Sequence, residues 1–427
     1  MTRGSLFSPE TVVVTGIGVM LPNTSTVDAF WGNISGGRSQ IGPVTRFDPE
    51  EVGLEVYAAA EINDFDHRPY LPELRDNHAE KYSREILVTM SALAEARRDA
   101  GLDVNGADPR RVGVLMSSSR GPLAWWQQVV SGQEPGAFDD RGAMFRGLAG
   151  CPAALSAIYI GAQGVVSTVS NACVGGHQAI RMALSEIRSG AADAMLVGGH
   201  EFPIVPEVAK CYQAMGSGVM STEREDPSRA VRPYSNDREG FALGEGAVVL
   251  CLERESVARA RGARIYAEVV GGRTLNEAAH ATTMDLSGKV TAGLIYDLLA
   301  DAGLHADEVD YFCAHGTATK YNDIAESRAL RALYPERTPG QLPPISSNKP
   351  IYGHTFGIAG IINVAATSLM LHHQRLAPTI NFTEPDPECD HDHVVEGARE
   401  ADIDLAVSLS FAFGSQTAVV AMRTVAP

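Results

Sequence analysis

Short unbroken apolar runs alternate along this chain with longer stretches whose apolar residues return every three or four positions, the pattern of strands alternating with amphipathic helices. RVGVLMSSS from Arg111, DAMLVGGHE from Asp193, VDYFC from Val309 and DLAVSLSF from Asp404 read as buried strands. The helix-like ALAEARRDAGL from Ala92 leads into the first of these runs, and LIYDLLADAGL from Leu294 leads into the third. The chain therefore repeats itself once. A strand followed by a helix recurs in the same way, in VSTVSNACVGGHQAIRMAL from Val166 and in ISSNKPIYGHTFGIAGIINVAATSLML from Ile345. A solenoid needs at least about three units, so one duplication predicts two similar α/β halves packed together, each a mainly parallel sheet covered by helices. The halves are expected to span residues 11–261 and 262–427. Ligand sites in such sheets collect at the carboxyl ends of the strands.

Composition narrows the partners and the compartment. With 427 residues, 44% of them hydrophobic, the chain can bury a large core, and its formal charge of −17 argues against nucleic acid or an anionic membrane surface. Two basic groups, Arg68, Arg75, Lys81 and Arg84, then Arg259, Arg261 and Arg264, are candidate docking patches for a small acidic partner, although solvated surface charge is the commoner role. The most apolar segment, GIAGIINVAATSLML from Gly357, is short and rich in Gly and Ala, as a helix buried in protein is. Six cysteines without CxxC pairs suggest neither a disulfide framework nor zinc. The opening MTRGSLFSPE has no apolar core of the signal-peptide kind and reads as a loose tail, so a cytoplasmic protein is expected.

Cys173 stands out among the six. A β-branched strand runs into it, and an amphipathic helix follows at once, with Val174, Ile180, Leu184 and Ile187 on one face, Gly190 as the stop, and Gly175 and Gly176 permitting close approach. A thiol at a helix N-terminus is expected to ionise more easily, because the aligned peptide dipoles favour negative charge there. In the second half, His315 follows the strand VDYFC, and Lys349 and His354 stand at the entrance of the counterpart helix. One histidine alone is more often structural than catalytic. Two imidazoles from one half facing a thiol from the other form a less accidental set. A cysteine protease needs one histidine; a second neutral imidazole is useful where an enolate must be stabilised after loss of CO2, while the thiol holds an acyl group as a thioester.

These motifs resemble the β-ketoacyl-acyl-carrier-protein synthases of type II, including the ketosynthase α subunits of type II polyketide synthases. The likeness runs from VVVTGIGVMLP through RPYSNDREGFALGEGAVVLCLE to SFAFGSQTAVVAM. It implies the thiolase fold, with two pseudo-symmetric halves in a five-layer α/β/α/β/α arrangement. It implies Cys173 as acyl-accepting nucleophile, His315 and His354 for decarboxylation, and Lys349 tuning His354. It further implies backbone N–H groups of Cys173 and Phe413 as oxyanion hole, Thr317 and Thr319 against the phosphopantetheine arm, and Phe411 and Phe413 against substrate. No metal or separate cofactor is implied. The partners implied are an acyl carrier protein and a second subunit, either a copy of this chain or a chain-length-factor paralogue.

The chain departs from the family pattern at Asn171, Val174, Ala412 and Ser415, and at Asn363, which replaces a glutamate and leaves Lys349 with a weaker anionic partner. These changes favour polyketide or polyene assembly over fatty-acid elongation, which stays the alternative. A non-catalytic chain-length-factor-like subunit is disfavoured by the joint presence of Cys173, His315 and His354, and a thiolase by the lack of a second cysteine in FAFGSQT. EPDPECDHDH from Glu384 has the composition of a metal site but reads as a surface loop, and GEGA at Gly244 lacks the lysine of a phosphate loop, which leaves Glu245 a structural carboxylate. Trp125 and Trp126 fit an acyl channel, a subunit interface or a core equally.

Overall fold

The computed structural model describes residues 10–425 except 105, 135, 138 and 140, so residues 1–9 of the expected loose tail lie outside the described residues, while its last residue, Glu10, is tied to Ser256 and Arg254. Five strands of the first half are β1 (Val12–Met20), β2 (Val112–Ser117), β3 (Val166–Val169), β4 (Ala194–Glu201) and β5 (Gly246–Arg254). Five of the second are β6 (Ala267–Asn276), β7 (Tyr311–Cys313), β8 (Ile345–Ser346), β9 (Leu405–Ala412) and β10 (Gln416–Arg423). Their order across one continuous sheet is β8-β7-β9-β10-β6-β1-β5-β4-β2-β3. Read outward from the seam, each half has the same order, with its first strand innermost and its third at the edge. In each, the second strand pairs in parallel with the third and fourth, and the fifth runs antiparallel. The duplication read from sequence is thus a duplication of topology. The halves meet through a short antiparallel pairing of Val13 with Glu268 and Val14 with Ala267.

Helices cover both faces. α1 (Arg84–Ala100), α2 (Leu123–Val130) and α3 (Cys151–Ile160) belong to the first half, α4 (Gly175–Arg188) follows Cys173, and α5 (Lys289–Asp301), α6 (Lys320–Leu333) and α7 (Ala359–His373) belong to the second. α4 and α7 pack against each other and against strands of both half-sheets, α1 and α3 lie outside the first half-sheet, and α5 lies outside the second with α6 beside it. That gives five layers. α7 together with the turn before it, Phe356–His373, is long and apolar enough to cross a membrane, but it is buried at the centre of the protein. Close helix–sheet contact depends on missing side chains: a Cβ on Gly18 of β1 would lie 2.0 Å from the Ala92 carbonyl of α1, and one on Gly175 would lie 2.5 Å from Ser117 Oγ.

The basic groups expected to dock a partner are partly committed to the fold. Arg261 is bound to buried Glu253 and to the carbonyls closing α1, Arg264 pairs with Asp99, and Arg259 pairs with Glu255. In the other group, Arg84 joins Arg46, which lies outside both groups, in clamping Glu245, which also accepts the Ile62 N–H at 2.9 Å. The structural role expected of Glu245 follows from these bonds. The acidic segment from Glu384 is not wholly a surface loop: Cys389, His391 and His393 are buried, and His393 stacks beside Tyr234 and Phe382. Trp125 packs inside while Trp126 is partly exposed.

Candidate active site

Cys173 lies where β3 gives way to α4, in a 3-10 turn over Ala172–Val174 that runs directly into the helix. Ala172 holds φ at 44°, a left-handed conformation that costs a non-glycine residue of order 1 kcal/mol and persists where surroundings enforce it. Here the enforcement is visible. The Cys173 carbonyl accepts from Ser410 Oγ at 2.8 Å, and Asn171 and Gln416 exchange two amide hydrogen bonds across the two halves. Asn171 also donates to Gln178 Oε1 at 2.8 Å. The direction of the thiol is fixed by both halves of the molecule.

The two histidines converge on that thiol. His354 Nε2 lies 3.3 Å from Cys173 Sγ, and the His315 and His354 rings stand edge to face with centroids 5.4 Å apart. His354 Nδ1 accepts the Phe356 N–H at 3.3 Å, which leaves the proton of the neutral ring on Nε2. His315 Nδ1 faces the Lys349 ammonium at 3.4 Å, which selects the same tautomer. Two Nε2–H donors therefore belong to one cavity. Burial holds both rings well below the usual histidine pKa, reinforced by Lys349, so they are neutral at working pH.

One expectation is corrected and another is extended. Burial pushes the Cys173 thiol up to about 12, although Lys349 and Arg120 pull the other way, so the resting group is a thiol rather than the thiolate expected at a helix start. Desolvation outweighs the dipole. Lys349, expected to tune His354, does help to lower that ring's pKa through its charge, and its direct contacts are to His315, whose carbonyl accepts from it and whose ring it touches. Its anionic neighbour is Glu326, buried on α6, which accepts the N–H groups of His315 at 2.6 Å and Gly316 at 2.9 Å and the Tyr234 hydroxyl at 2.7 Å. Burial lowers Lys349 to about 8, opposed chiefly by Glu326, and raises Glu326 to about 7, opposed by those hydrogen bonds. Asn363 bonds instead to the Ala314 carbonyl at 2.9 Å.

A cavity of about 210 Å³ opens beside the thiol and is lined by Cys173, His315, His354, Thr317, Thr319, Phe411 and Phe413, so each of these candidates reaches one space, with Lys349 just behind His315. Thr317 and Thr319 hydroxyls bond each other at 2.8 Å, the Phe411 ring lies 5.9 Å from His315, and Phe413 is 42% exposed at the rim. Cys173 Sγ and nitrogens of the two histidines fall within 4.8 Å of one another, a donor set that zinc accepts. Its setting is poor for a dication: both accessible ring nitrogens carry protons, and an ammonium abuts His315.

Two contributors escaped the sequence reading. Asp323, Glu326 and Leu330 fall at positions three and four apart on α6, so an acidic pair on an apolar stripe was the available signal for Glu326. Arg120, just beyond β2, had none. Its guanidinium lies 4.6 Å from the centroid of Phe356, which stacks on His354 at 4.4 Å, and it bonds the Tyr212 hydroxyl at 2.5 Å.

Known proteins share this architecture and sequence. Residues 9–258 match the family model for the beta-ketoacyl synthase N-terminal domain, and residues 266–383 match that for the C-terminal domain. The chain is 37% identical to a putative polyketide beta-ketoacyl synthase 1 of Streptomyces halstedii over 420 residues, covering 96% of this chain and 97% of that protein. It is 34% identical to a 3-oxoacyl-[acyl-carrier-protein] synthase 2 of Synechocystis over 419 residues, with coverage of 96% and 97%. Among solved structures, a type II polyketide ketosynthase bound to the hexaketide, in complex with its acyl-carrier protein, superposes with a TM-score of 0.87 at 32% identity, covering 98% of this chain and 100% of that one. The ishigamide ketosynthase/chain length factor gives a TM-score of 0.87 at 31% identity, with the same coverage.

Proposed function

The chain belongs to the β-ketoacyl synthase family of condensing acyltransferases with the thiolase fold, and from that membership we propose that it joins acyl units by decarboxylative Claisen condensation in polyketide or polyene assembly. The observation that carries the reading is the meeting of one thiol from the first half with two neutral imidazole donors from the second. Cys173 attacks the thioester carbonyl of an acyl group carried on phosphopantetheine. A new S–C bond forms, the carrier's C–S bond breaks, and the carrier thiol leaves with the proton that Cys173 loses. As charge develops on the sulfur, the Nε2–H of His354 faces it. Backbone N–H groups of Cys173 and Phe413 serve the carbonyl oxygen; losing one such donor typically costs about 10²–10³ in rate.

Malonyl carrier protein then enters. Its C–C bond to the carboxylate breaks, CO2 departs, and the electron pair becomes an enolate whose oxygen is held by the Nε2–H groups of His315 and His354. The enolate carbon attacks the acyl thioester on Cys173; the new C–C bond forms, the C–S bond breaks, and one proton restores the thiol. Lys349 and Glu326 position His315 from behind. Thr317 and Thr319 meet the phosphopantetheine arm, and Phe411 and Phe413 wall the substrate.

The division at residues 261 and 262 fits the repeat of strand order, β5 ending the first half and β6 opening the second. An acyl carrier protein and a second subunit, a copy or a chain-length-factor paralogue, are the partners in this reading; of the solved relatives, one is in complex with its acyl-carrier protein and another is a ketosynthase/chain length factor. Exposed Val165 and Val166 at the start of edge strand β3, with exposed Ile158 on α3, offer an apolar surface for that subunit. The cytoplasm is the compartment in which such carriers work. The test separates the two half-reactions: His354→Ala should lower CO2 release from malonyl carrier protein by about 10² or more while acyl transfer to Cys173 falls less. Equal loss of both steps contradicts the assignment.

A further inference from the structure

The cavity wall beyond the thiol carries a polarity that the condensation itself does not use. Tyr212 and Phe356 line the cavity beside Cys173, with their rings stacked at 5.3 Å. Arg120 lies against both rings, 4.6 Å from the Phe356 centroid and 5.6 Å from that of Tyr212, and donates to the Tyr212 hydroxyl at 2.5 Å and to Ser119 Oγ at 2.9 Å. Glu201 stands 3.6 Å from the guanidinium. Arg120 follows β2, Cys173 follows β3 and Glu201 ends β4, so this cluster occupies the same carboxyl strand ends as the thiol, where ligands of parallel sheets gather. Thr317, Thr319, Met284 and Phe413 line the same cavity from the second half. Tyr212 and Cys173 line one cavity, so an acyl group on Cys173 shares that space with the Tyr212 side chain.

A hydroxyl that accepts from a guanidinium still has its own proton to give. Tyr212 is 6% exposed, and its proton has no acceptor among the described residues. A buried donor left unmade costs roughly 1–3 kcal/mol, a poor feature for a tunnel that receives only hydrocarbon. We infer that the Tyr212 hydroxyl, held and polarised by Arg120, selects acyl groups bearing a ketone oxygen several carbons from the thioester over hydrocarbon chains of equal length. The inference rests on Cys173 as the acylated residue. The oxygen lies several carbons out because two ring spacings, His354 to Phe356 and Phe356 to Arg120, separate the guanidinium from the imidazole at the thiol. A ketone fits better than a carboxylate, because Glu201 already sets a negative charge beside Arg120.

The test offers the full chain two probes in turn, octanoyl pantetheine and its analogue with a ketone next to the terminal methyl group, and follows acylation of Cys173 by intact-protein mass spectrometry. The ketone probe should react about tenfold faster, the discrimination expected of one good hydrogen bond from a polarised donor. Tyr212→Phe, which keeps the ring, should bring the two rates to within about twofold of each other. Arg120→Met, with its melting temperature recorded as a check on folding, should narrow the ratio in the same direction. Equal rates for the unsubstituted chain, or a preference that survives Tyr212→Phe, overturns the inference while acylation by either probe leaves the role of Cys173 standing. Acylation by neither probe overturns both.

Discussion

At the scale of the residue, the state of Cys173 is decided by two opposing effects, and burial wins. A sequence shows that a cysteine precedes a helix, and from that alone the dipole argument follows; it does not show that Cys173 sits among Val174, Phe356 and Phe241, away from water. Lys349 and Arg120 soften the penalty without reversing it. The free thiol should therefore be alkylated by iodoacetamide at a rate that keeps rising about tenfold per pH unit from neutral to pH 9, because the thiolate fraction grows throughout that range. A plateau near neutral pH would show an acidified thiol instead. Cys173, His315 and His354 were legible because residue type and position after a strand or before a helix carry chemistry directly. Glu326 was missed because periodicity does not show that its carboxylate folds back from α6 onto the N–H groups of His315 and Gly316, and Arg120 because only the three-dimensional stack reveals it.

At the scale of the element, pattern reading served the helices and strands well and their ends less well. The face named for α4 is the face that is buried, and Gly190 does close it with a left-handed φ of 78°. What periodicity does not reveal is how a helix end finds its hydrogen bonds. α2 begins after Pro122 without a side-chain cap of its own, and Glu85 of α1 supplies one by accepting the Ala124 N–H at 2.9 Å. That carboxyl is fully buried, its second oxygen is unpartnered, and burial raises its pKa to about 8. A folded-state pKa above the unfolded value gives stability that is complete below the unfolded pKa and is lost as pH rises through the folded one. Glu85→Gln keeps the accepting oxygen and removes the ionisation, so the melting temperature of the variant should gain on that of the unsubstituted chain between pH 5 and pH 8, by roughly a few kcal/mol of stability at the upper end. A constant difference across that range would mean that Glu85 does not titrate there.

At the scale of the whole molecule, the internal echo in sequence proves to be a repeat of strand order, and that repeat places the reactive groups. The ends of β3 and β7 hold Cys173 and His315, and His354 precedes α7, the helix that packs against α4 at the centre of the protein. Neither half has the full set. The continuous seam from β1 to β6 was not legible, because a two-residue antiparallel pairing leaves no periodic signal. On the proposed function, this convergence, rather than simple exposure, selects which sulfur is acylated. Six cysteines make the test internal: Cys211 is exposed and Cys151 half-buried, whereas Cys173 is buried at the cavity. The direct measurement is peptide mapping by mass spectrometry after incubation with an acyl carrier donor, on the unsubstituted chain and on Cys173→Ala. The acyl group is expected on the peptide containing Cys173 alone and absent from the variant; acylation at Cys211 or Cys151 instead, or undiminished acylation of Cys173→Ala, would contradict the account.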